Sequence, residues 1–387
     1  MKNKILPTIF LVIGTRPEAI KIAPVIHALK MQNEFRVIVI ATGQHSELLS
    51  QVLEIFKITP DINLKIMEPK QDLVDITTKV MTGLQELINQ ESPDLVVVHG
   101  DTTTAMAATL AAFLLHIPVA HVEAGLRTGN VNSPWPEEIN RVLTARMASL
   151  HFPPTEAART NLLIEKVDDK DIEMTGNTVI DSLIIMRNRI ENENVLKEVL
   201  ARKFSFINSK KRLVLITAHR RENFGSGIIN ICASIEKIAS RNDVQIIYPV
   251  HPNPKIQEPV YKILKNKNNI YLIKPLDYLE FVYIMSICHF VMTDSGGIQE
   301  EAPGLGKPVL ILRNTTERPE AITAGTALLV GTNTLAIVKA ANKLLDNEEY
   351  YHSMAHASNP FGDGKSGEKI ARRIKQFLEN QIRNINA

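Results

Sequence analysis

The chain is short of the features that mark several large classes of protein. Its 387 residues include two cysteines and one tryptophan, and aromatic residues make up only 5%. With so few cysteines and no CxxC pair, the sequence predicts neither a disulfide framework nor a cysteine-rich metal site. The formal net charge of +2 is close to neutral. Nothing in the composition therefore predicts a nucleic-acid or anionic-membrane partner.

No apolar run in the sequence is long enough to span a bilayer. The N-terminal Met-Lys-Asn-Lys and the apolar segment after it resemble a short signal peptide. Pro7 interrupts that segment, however, and no small-residue cleavage site follows, so we interpret it as a first buried strand. Cys232 and Cys288 lie in apolar surroundings typical of buried free thiols. These features together predict a cytoplasmic protein.

Signatures of nucleotide cofactors and metals are also missing. The sequence has neither a GxGxxG fingerprint nor a Walker loop, and its cysteines show no metal spacing. We therefore expect no cofactor and no metal. Apolar residues make up 44% and charged residues 22% of the chain, as in an ordinary globular protein.

What the sequence does contain is a regular alternation of short apolar runs and longer amphipathic segments. This alternation predicts an α/β fold with parallel sheets covered by helices on both faces. It is interrupted between 176 and 211, where residues 192–211 are charged and predicted to be helical. Because the length exceeds that of one core, we expect two doubly wound domains joined near residue 175, with a cleft between them. The predicted strands are 8–14, 35–41, 94–98, 118–122, 149–152, 212–217, 244–248, 269–273, 288–292 and 308–312.

Two acidic residues follow strands in the first half of the chain. Ligands of open α/β sheets bind beyond the carboxyl ends of the strands, so these positions are candidates for chemistry. Asp101 could cap the next helix, but three threonines follow it and could cap instead. Glu123 is followed by Ala-Gly, and its one evident structural task is to pair with Arg127. We favour a functional role for both carboxylates.

A third acidic position lies in the stretch Ser-Pro-Trp-Pro-Glu-Glu, which contains the only tryptophan. Glu137 and Glu138 begin a predicted helix, where acidic residues also complement the helix dipole. Neighbours on a helix lie about 100° apart, so the two side chains cannot face the same way. One could pair with Arg141, three or four residues later, which leaves the other available for function.

Basic groups and turns follow other strands. The first strand ends in Gly-Thr-Arg-Pro-Glu with Lys21 beyond it, which indicates either an anion site at a helix N-terminus or a tight turn with solvated charges. His219 begins a run of four ionisable residues and could carry a proton near neutral pH.

The strongest local signal is the segment Thr-Asp-Ser-Gly-Gly-Ile-Gln-Glu-Glu at 293–301. We expect Asp294 or Ser295 to cap a helix there. Gly296 and Gly297 would let a diphosphate approach the exposed N–H groups. Glu301 would then be able to reach the ribose hydroxyls.

Seven motifs occur in order along the chain: Gly14–Lys21, Gly100–Thr103, His121–Arg127, Pro136–Glu138, His219–Asn223, Asp294–Gly297 and Asn359–Gly364. Together they strongly resemble the motifs of the bacterial non-hydrolysing UDP-N-acetylglucosamine 2-epimerases, over nearly the whole chain. The resemblance implies a homodimer that interconverts UDP-N-acetylglucosamine and UDP-N-acetylmannosamine by anti elimination of UDP to 2-acetamidoglucal and re-addition, for surface polysaccharide synthesis.

The resemblance also assigns catalysis and UDP binding to different parts of the chain. It implies two Rossmann-like domains of the glycosyltransferase-B type: residues 1–175 would carry the catalytic carboxylates and residues 176–364 would bind UDP. The last helix, within 365–387, would pack back on the first domain. The implied catalytic residues are Asp101, Glu123, Glu137 and His219. The implied UDP contacts are Arg16, Lys21, His219, Ser295, Gly296, Gly297, Glu301 and Arg318. A second UDP-sugar, bound as an allosteric activator, would contact Gln44, Arg220 and His251.

Several related functions stay open from the sequence. A UDP-sugar glycosyltransferase of the same fold would use the same diphosphate contacts, and an epimerase of a UDP-diacetamido sugar would differ in a few loop residues. A hydrolysing epimerase and a non-catalytic UDP-sugar sensor are further alternatives. The sequence does not assign which carboxylate is the base and which the acid.

Overall fold

The computed structural model describes residues 6–43, 46–68 and 70–386. These residues form two compact units. Unit 1 contains the described residues up to Ser182 and those from Phe361 onwards, and unit 2 contains Leu183–Pro360. The chain therefore leaves unit 1 once and returns to it once.

Unit 1 is built on a six-stranded sheet whose paired strands are all parallel. Its strands are β1 (Thr8–Ile13), β2 (Arg36–Ala41), β3 (Ile62–Asn63), β4 (Leu95–His99), β5 (Val119–Val122) and β6 (Leu150–Phe152). They lie in the order β3-β2-β1-β4-β5-β6. Every residue of β1, β4 and β5 is buried, because helices cover both faces of the sheet. The first helices along the chain are α1 (Arg16–Gln32), α2 (Ser46–Ile55), α3 (Leu73–Glu91), α4 (Thr103–Leu114), α5 (Glu137–Met147), α6 (Glu156–Ile164) and α7 (Thr178–Asn192).

Unit 2 repeats this architecture with a second parallel sheet of six strands. Its strands are β7 (Arg212–Thr217), β8 (Val244–Pro249), β9 (Ile270–Ile273), β10 (Phe290–Thr293), β11 (Val309–Ile311) and β12 (Ala327–Leu329), in the order β12-β11-β10-β7-β8-β9. Its helices are α8 (Asn194–Lys203), α9 (Ser226–Ala239), α10 (Pro254–Leu264), α11 (Tyr278–Ile287), α12 (Gly296–Gly304), α13 (Pro319–Thr323), α14 (Thr334–Asp346) and α15 (Glu348–Ala355). Cys232 and Cys288 are buried free thiols here, as predicted, and burial raises the pKa of each to about 12.

The last helix, α16 (Ser366–Asn386), belongs to unit 1 and packs against α1. Its start is held by the buried carboxylate of Asp181, whose Oδ1 accepts the backbone N–H of Gly367 at 2.8 Å. A Cβ atom on Gly367 would lie 2.8 Å from the carbonyl oxygen of Pro24. The close approach of α16 to α1 therefore requires glycine at this position.

The predicted α/β class and all ten predicted strands are confirmed, with bounds that differ by at most two residues. The prediction missed β3 and β12, which have only two and three residues. The predicted helix over 192–211 is confirmed only over α8, which ends at Lys203, since α7 ends at Asn192 and residues 204–211 are not helical. Within the described part of the chain, every helix is too short or too polar to cross a bilayer.

Candidate active site

Asp101 follows β4 and is not used as a helix cap. Thr102 occupies the N-cap of α4 and accepts a backbone N–H of its first turn. The Asp101 carboxylate instead forms an ion pair with Arg141 of α5, and the side chain of Asn140 donates to the Asp101 carbonyl oxygen at 2.9 Å. Burial raises the pKa of Asp101; the charge of Arg141 opposes this shift, and that of Glu123 adds to it. A partly buried carboxyl with a shifted pKa at a strand exit is a candidate for proton transfer.

Glu123 follows β5 in a left-handed backbone conformation, with φ of 63°. Such a conformation is uncommon for a residue other than glycine, and it often occurs at functional sites. The carboxylate is paired with Lys21 of α1 and accepts a hydrogen bond from the side-chain amide of Asn177 at 2.9 Å. The Nε2 atom of His99 lies 4.0 Å from the same carboxylate. Three elements of unit 1 therefore converge on one acidic group.

Arg127, which the sequence analysis considered as a structural partner for Glu123, pairs with a different residue. Its guanidinium binds Glu165 through two hydrogen bonds of 2.6 and 2.9 Å. Lys21, which the resemblance implied as a UDP contact, has its ammonium group on Glu123 in this structure.

The neighbouring Glu137 and Glu138 have different environments. Glu138 is buried, and its carboxylate accepts the backbone N–H groups of Thr128 and Gly129 at 2.9–3.1 Å and a hydrogen bond from Arg141 at 3.2 Å. Glu137 is half-buried, and among the described residues its side chain has no hydrogen-bond or ion-pair partner. Glu138 is therefore the glutamate that pairs with Arg141, and Glu137 is left available for a ligand.

The N-terminus of α1 already carries an acidic group of the protein. Glu18 forms a capping box with Thr15 and accepts the N–H groups of Gly14 at 3.1 Å and Thr15 at 2.6 Å. It also accepts the Thr102 hydroxyl at 2.7 Å, and burial raises its pKa to about 7. The Glu18 carboxylate occupies these two N–H groups, so the backbone fits the tight-turn interpretation. Arg16 is half-buried at the first position of the helix.

Three buried histidines lie beneath the carboxylates on adjacent strands β4, β5 and β6. Burial lowers the pKa of His99 and His151 to about 4 and that of His121 to about 3. The Nε2 atom of His121 lies 2.8 Å from the carbonyl oxygen of Gly100. At neutral pH the three imidazoles are uncharged, so they support the strand exits without adding positive charge.

In unit 2, the N-terminus of α12 is open to an anion. The side chain of its N-cap residue, Ser295, makes no capping hydrogen bond to its first turn. A Cβ on Gly296 would lie 3.8 Å from Arg220 Nη2 and 3.9 Å from Glu317 Oε2, and a Cβ on Gly297 would lie 3.7 Å from Glu301 Oε1. These are ordinary contacts, and neither glycine has a positive φ. Packing within the protein does not require glycine here, whereas close approach of a ligand to the N–H groups does.

Ser295, one of the two predicted residues, occupies the N-cap position of α12, but its side chain makes no capping hydrogen bond, and Asp294 does not cap the helix. The fully buried Asp294 carboxylate instead accepts the backbone N–H groups of His219 at 2.9 Å and Arg220 at 2.8 Å, and the amide of Asn223 at 2.9 Å. Asp294 thereby fixes the loop after β7 beside the start of α12.

His219 and His251, which the resemblance assigned to different ligands, are in contact. Their rings stack with centroids 5.4 Å apart. Burial lowers the pKa of His219; Asp294 opposes the shift, and the neighbouring His251 and Arg220 add to it. The Nε of Arg220 is buried and has no hydrogen-bond partner among the described residues. Gln44, the third predicted activator contact, lies outside the described residues.

Two arginines hold the loop between β11 and α13. Arg318 is paired with the buried Glu300 of α12. Arg313, which the sequence analysis did not assign to the site, is itself buried and binds Glu222 at 2.6 and 3.1 Å and Glu317 at 3.2 Å. The loop after β7 and the loop after β11 are thus linked through one guanidinium.

Comparison with known proteins gives consistent matches over nearly the whole chain. The sequence model of the family described as UDP-N-acetylglucosamine 2-epimerase matches residues 27–375. The UDP-N-acetylglucosamine 2-epimerase of Salmonella typhimurium is 52% identical over 367 residues, which cover 95% of this chain and 98% of that protein.

Solved structures agree with the sequence matches. The crystal structure of UDP-GlcNAc 2-epimerase from Neisseria meningitidis bound to UDP-GlcNAc has a TM-score of 0.87 and 47% identity, covering 95% of this chain and all of that one. The Methanocaldococcus jannaschii UDP-GlcNAc 2-epimerase in complex with UDP-GlcNAc and UDP has a TM-score of 0.76 and 37% identity, covering 95% and 99%.

Proposed function

Because the chain belongs to the UDP-N-acetylglucosamine 2-epimerase family, we propose that it is an isomerase that interconverts UDP-N-acetylglucosamine and UDP-N-acetylmannosamine. The observation that carries the proposal is the group of acidic residues at one sheet edge of unit 1. Asp101 and Glu123 are close enough for the charge of one to shift the pKa of the other. Glu137 begins the helix whose Asn140 and Arg141 contact Asp101.

The reaction needs acidic side chains because the hydrogen at C2 of the sugar is not next to a carbonyl group. Cleavage of the anomeric C1–O bond releases UDP and leaves an oxocarbenium-like carbon. Loss of the C2 proton then gives 2-acetamidoglucal. Re-addition of UDP with a proton delivered to the opposite face of C2 gives the epimer. Carboxylates stabilise the developing positive charge and carry the proton in each direction.

The departing UDP gains negative charge and needs donors. The N-terminus of α12 and the Nε of Arg220, which has no partner within the described part of the chain, support a diphosphate site in unit 2. His219, whose pKa is lowered by burial, is a neutral donor at pH 7. We propose as UDP contacts Arg16, Lys21, His219, Ser295, Gly296, Gly297, Glu301 and Arg318.

The test is proton NMR of the protein with UDP-N-acetylglucosamine alone in deuterated water. We expect UDP-N-acetylmannosamine to form, with deuterium at C2 of the product, because the proton removed exchanges with solvent. Turnover without deuterium at C2 would contradict the proton-transfer scheme. Free N-acetylmannosamine with UDP would indicate a hydrolysing enzyme, and no reaction without an added acceptor would favour a glycosyltransferase.

We propose that a second UDP-sugar activates the enzyme through Gln44, Arg220 and His251. The stacking of His251 on His219 supports this, because it gives a direct route between the two groups of contacts. Strictly hyperbolic kinetics that Arg220→Ala leaves unchanged would contradict it.

We also propose a homodimer working in the cytoplasm. Exposed apolar side chains on α3 and α4, including Val74, Phe113 and Leu114, offer a face for a second copy. Two buried free thiols and a nucleotide-sugar substrate favour a reducing compartment.

A further inference from the structure

Asn177 is a buried polar residue that contacts Glu123 from the end of the segment leading into α7. It is 2% exposed. Its side-chain oxygen accepts the backbone N–H of Val179 at 3.0 Å, and its side-chain nitrogen donates to Glu123 Oε2 at 2.9 Å. Because the N–H of Val179 requires an acceptor, the amide has one satisfactory orientation, and its NH₂ group must face the carboxylate.

The backbone of Asn177, five residues before the chain leaves unit 1, contacts the point at which the chain returns to it. Its N–H donates to the carbonyl oxygen of Phe361 at 2.6 Å, and Phe361 is the residue at which the chain re-enters unit 1. The adjacent glycines approach closely: a Cβ on Gly176 would lie 3.0 Å from the Cα of Gly362, and the φ angles are +90° and +135°. The outgoing and returning segments are therefore in direct contact at Asn177.

We propose that Asn177 is a positioning residue for Glu123, which fixes the direction of its carboxylate and links that direction to the two crossing segments. The inference rests on the proposed function, in which Glu123 acts on the sugar. Lys21 supplies the positive charge for Glu123, but an ammonium group at the end of a flexible side chain does not define the orientation of the carboxylate. A buried amide defines that orientation, because its oxygen is already bonded to a backbone N–H.

The direction of the Glu123 carboxylate matters because the proposed reaction transfers a proton at C2 of the sugar. A general acid or base must lie within hydrogen-bond reach of the carbon-bound proton, and a small misplacement lowers the rate steeply. Glu123 has a left-handed backbone, so its side-chain direction depends on its surroundings more than that of a residue in regular structure. A change in backbone geometry at the crossing would reach the carboxylate through a single hydrogen bond.

Two substitutions separate this role from support of the fold. Asn177→Asp and Asn177→Ser both keep an oxygen for the N–H of Val179, since Asn, Asp and Ser are all good helix N-caps. Neither keeps the amide donor to Glu123. We expect kcat to fall about 10- to 100-fold in both, the value of one hydrogen bond to a charged group, with unchanged UDP affinity. We expect Asn177→Ser also to keep the thermal unfolding midpoint of the wild type.

The pH profile gives a second readout. In Asn177→Asp, two carboxylates face each other, and a proton shared between them restores a donor to Glu123 as the pH falls. We expect the activity of this variant to rise toward acidic pH relative to wild type, and that of Asn177→Ser to show no such rise. The other titratable groups facing Glu123 are Lys21, His99 and Asp101, and they are the same in all three proteins.

Asn161→Ala is the matched control. Asn161 is a partly buried asparagine, and its amide donates to the carbonyl oxygen of Gly125 at 3.0 Å, in the same loop as Glu123 but away from the carboxylate. We expect a much smaller loss of kcat. Equal losses in all three variants, or wild-type kcat and pH profile in Asn177→Asp, would overturn the inference. Failure of the wild type to epimerise UDP-N-acetylglucosamine would instead reject the proposed function.

Discussion

At the scale of single residues, the neighbouring Glu137 and Glu138 show how two identical side chains acquire different tasks. Glu138 is enclosed and bonded to two backbone N–H groups and to Arg141. Glu137, one position earlier, is half-buried. The 100° step of the helix separates the two directions, and the Thr128–Gly129 turn determines which of the two is enclosed.

A matched pair of substitutions tests this assignment. We expect Glu137→Gln to lower kcat by about 10²- to 10⁴-fold with little change in the free energy of unfolding. Glu138→Gln leaves buried N–H groups without a charged acceptor, so we expect it to cost about 1 to 3 kcal/mol of stability. Urea unfolding and kcat measured on both proteins check the pair. A stable, inactive Glu138→Gln together with an active Glu137→Gln would reverse the assignment.

The sequence located the acidic residues but not their partners. Asp101, Glu123 and Glu137 follow strands or begin a helix, and such positions can be recognised from local pattern alone. The pairing of Lys21 with Glu123 and the contact from Asn177 join residues 102 and 54 positions apart, and no local spacing indicates them. Glu18 is the exception, because Thr-x-x-Glu before an apolar helix is the spacing of a capping box.

At the scale of elements, the ten strands with apolar runs were predictable because burial on both faces leaves an uninterrupted apolar signal. β3 and β12 were not, since each pairs at a sheet edge over two or three residues. The length of α8 was also missed. Charged residues continue to Lys211, but the helix ends at Lys203, and composition alone does not mark that end.

The packing of α16 against α1 depends on Gly367. We expect Gly367→Ala to lower the free energy of unfolding by about 1 to 3 kcal/mol, the usual cost of overpacking, because the added methyl group would meet the carbonyl of Pro24. Gly227→Ala is the control: it also lies at the second position of a helix, and its Cβ would meet Asn223 at 3.5 Å. Denaturant unfolding of the two variants tests this, and an equal loss of stability in both would contradict it.

At the scale of the whole molecule, buried neutral histidines make the fold sensitive to acid. The folded-state pKa values of His99, His121 and His151 lie below the ordinary value of 6.5. The unfolded chain therefore binds more protons as the pH falls below 6.5, and the stability present above that pH is lost toward pH 4.

We expect the free energy of unfolding to fall between pH 7.5 and 5, and His121→Gln to reduce that fall by up to about 2 kcal/mol. His116→Asn is the control, because His116 is exposed and asparagine tolerates its positive φ. Urea unfolding at the two pH values provides the measurement. Identical pH dependence in His121→Gln and wild type would show that this imidazole does not resist protonation in the folded state.

The contact between the segments at Asn177 and Phe361 has a consequence for how the gene can be divided. Unit 2 is an insertion of residues 183–360 into unit 1, and the segments of unit 1 that precede and follow the insertion are hydrogen-bonded to each other at Asn177 and Phe361. Insertions with adjacent ends can be exchanged without redirecting the host chain. A different nucleotide-binding module, spliced at these two positions, could thus be combined with the same acid-bearing host.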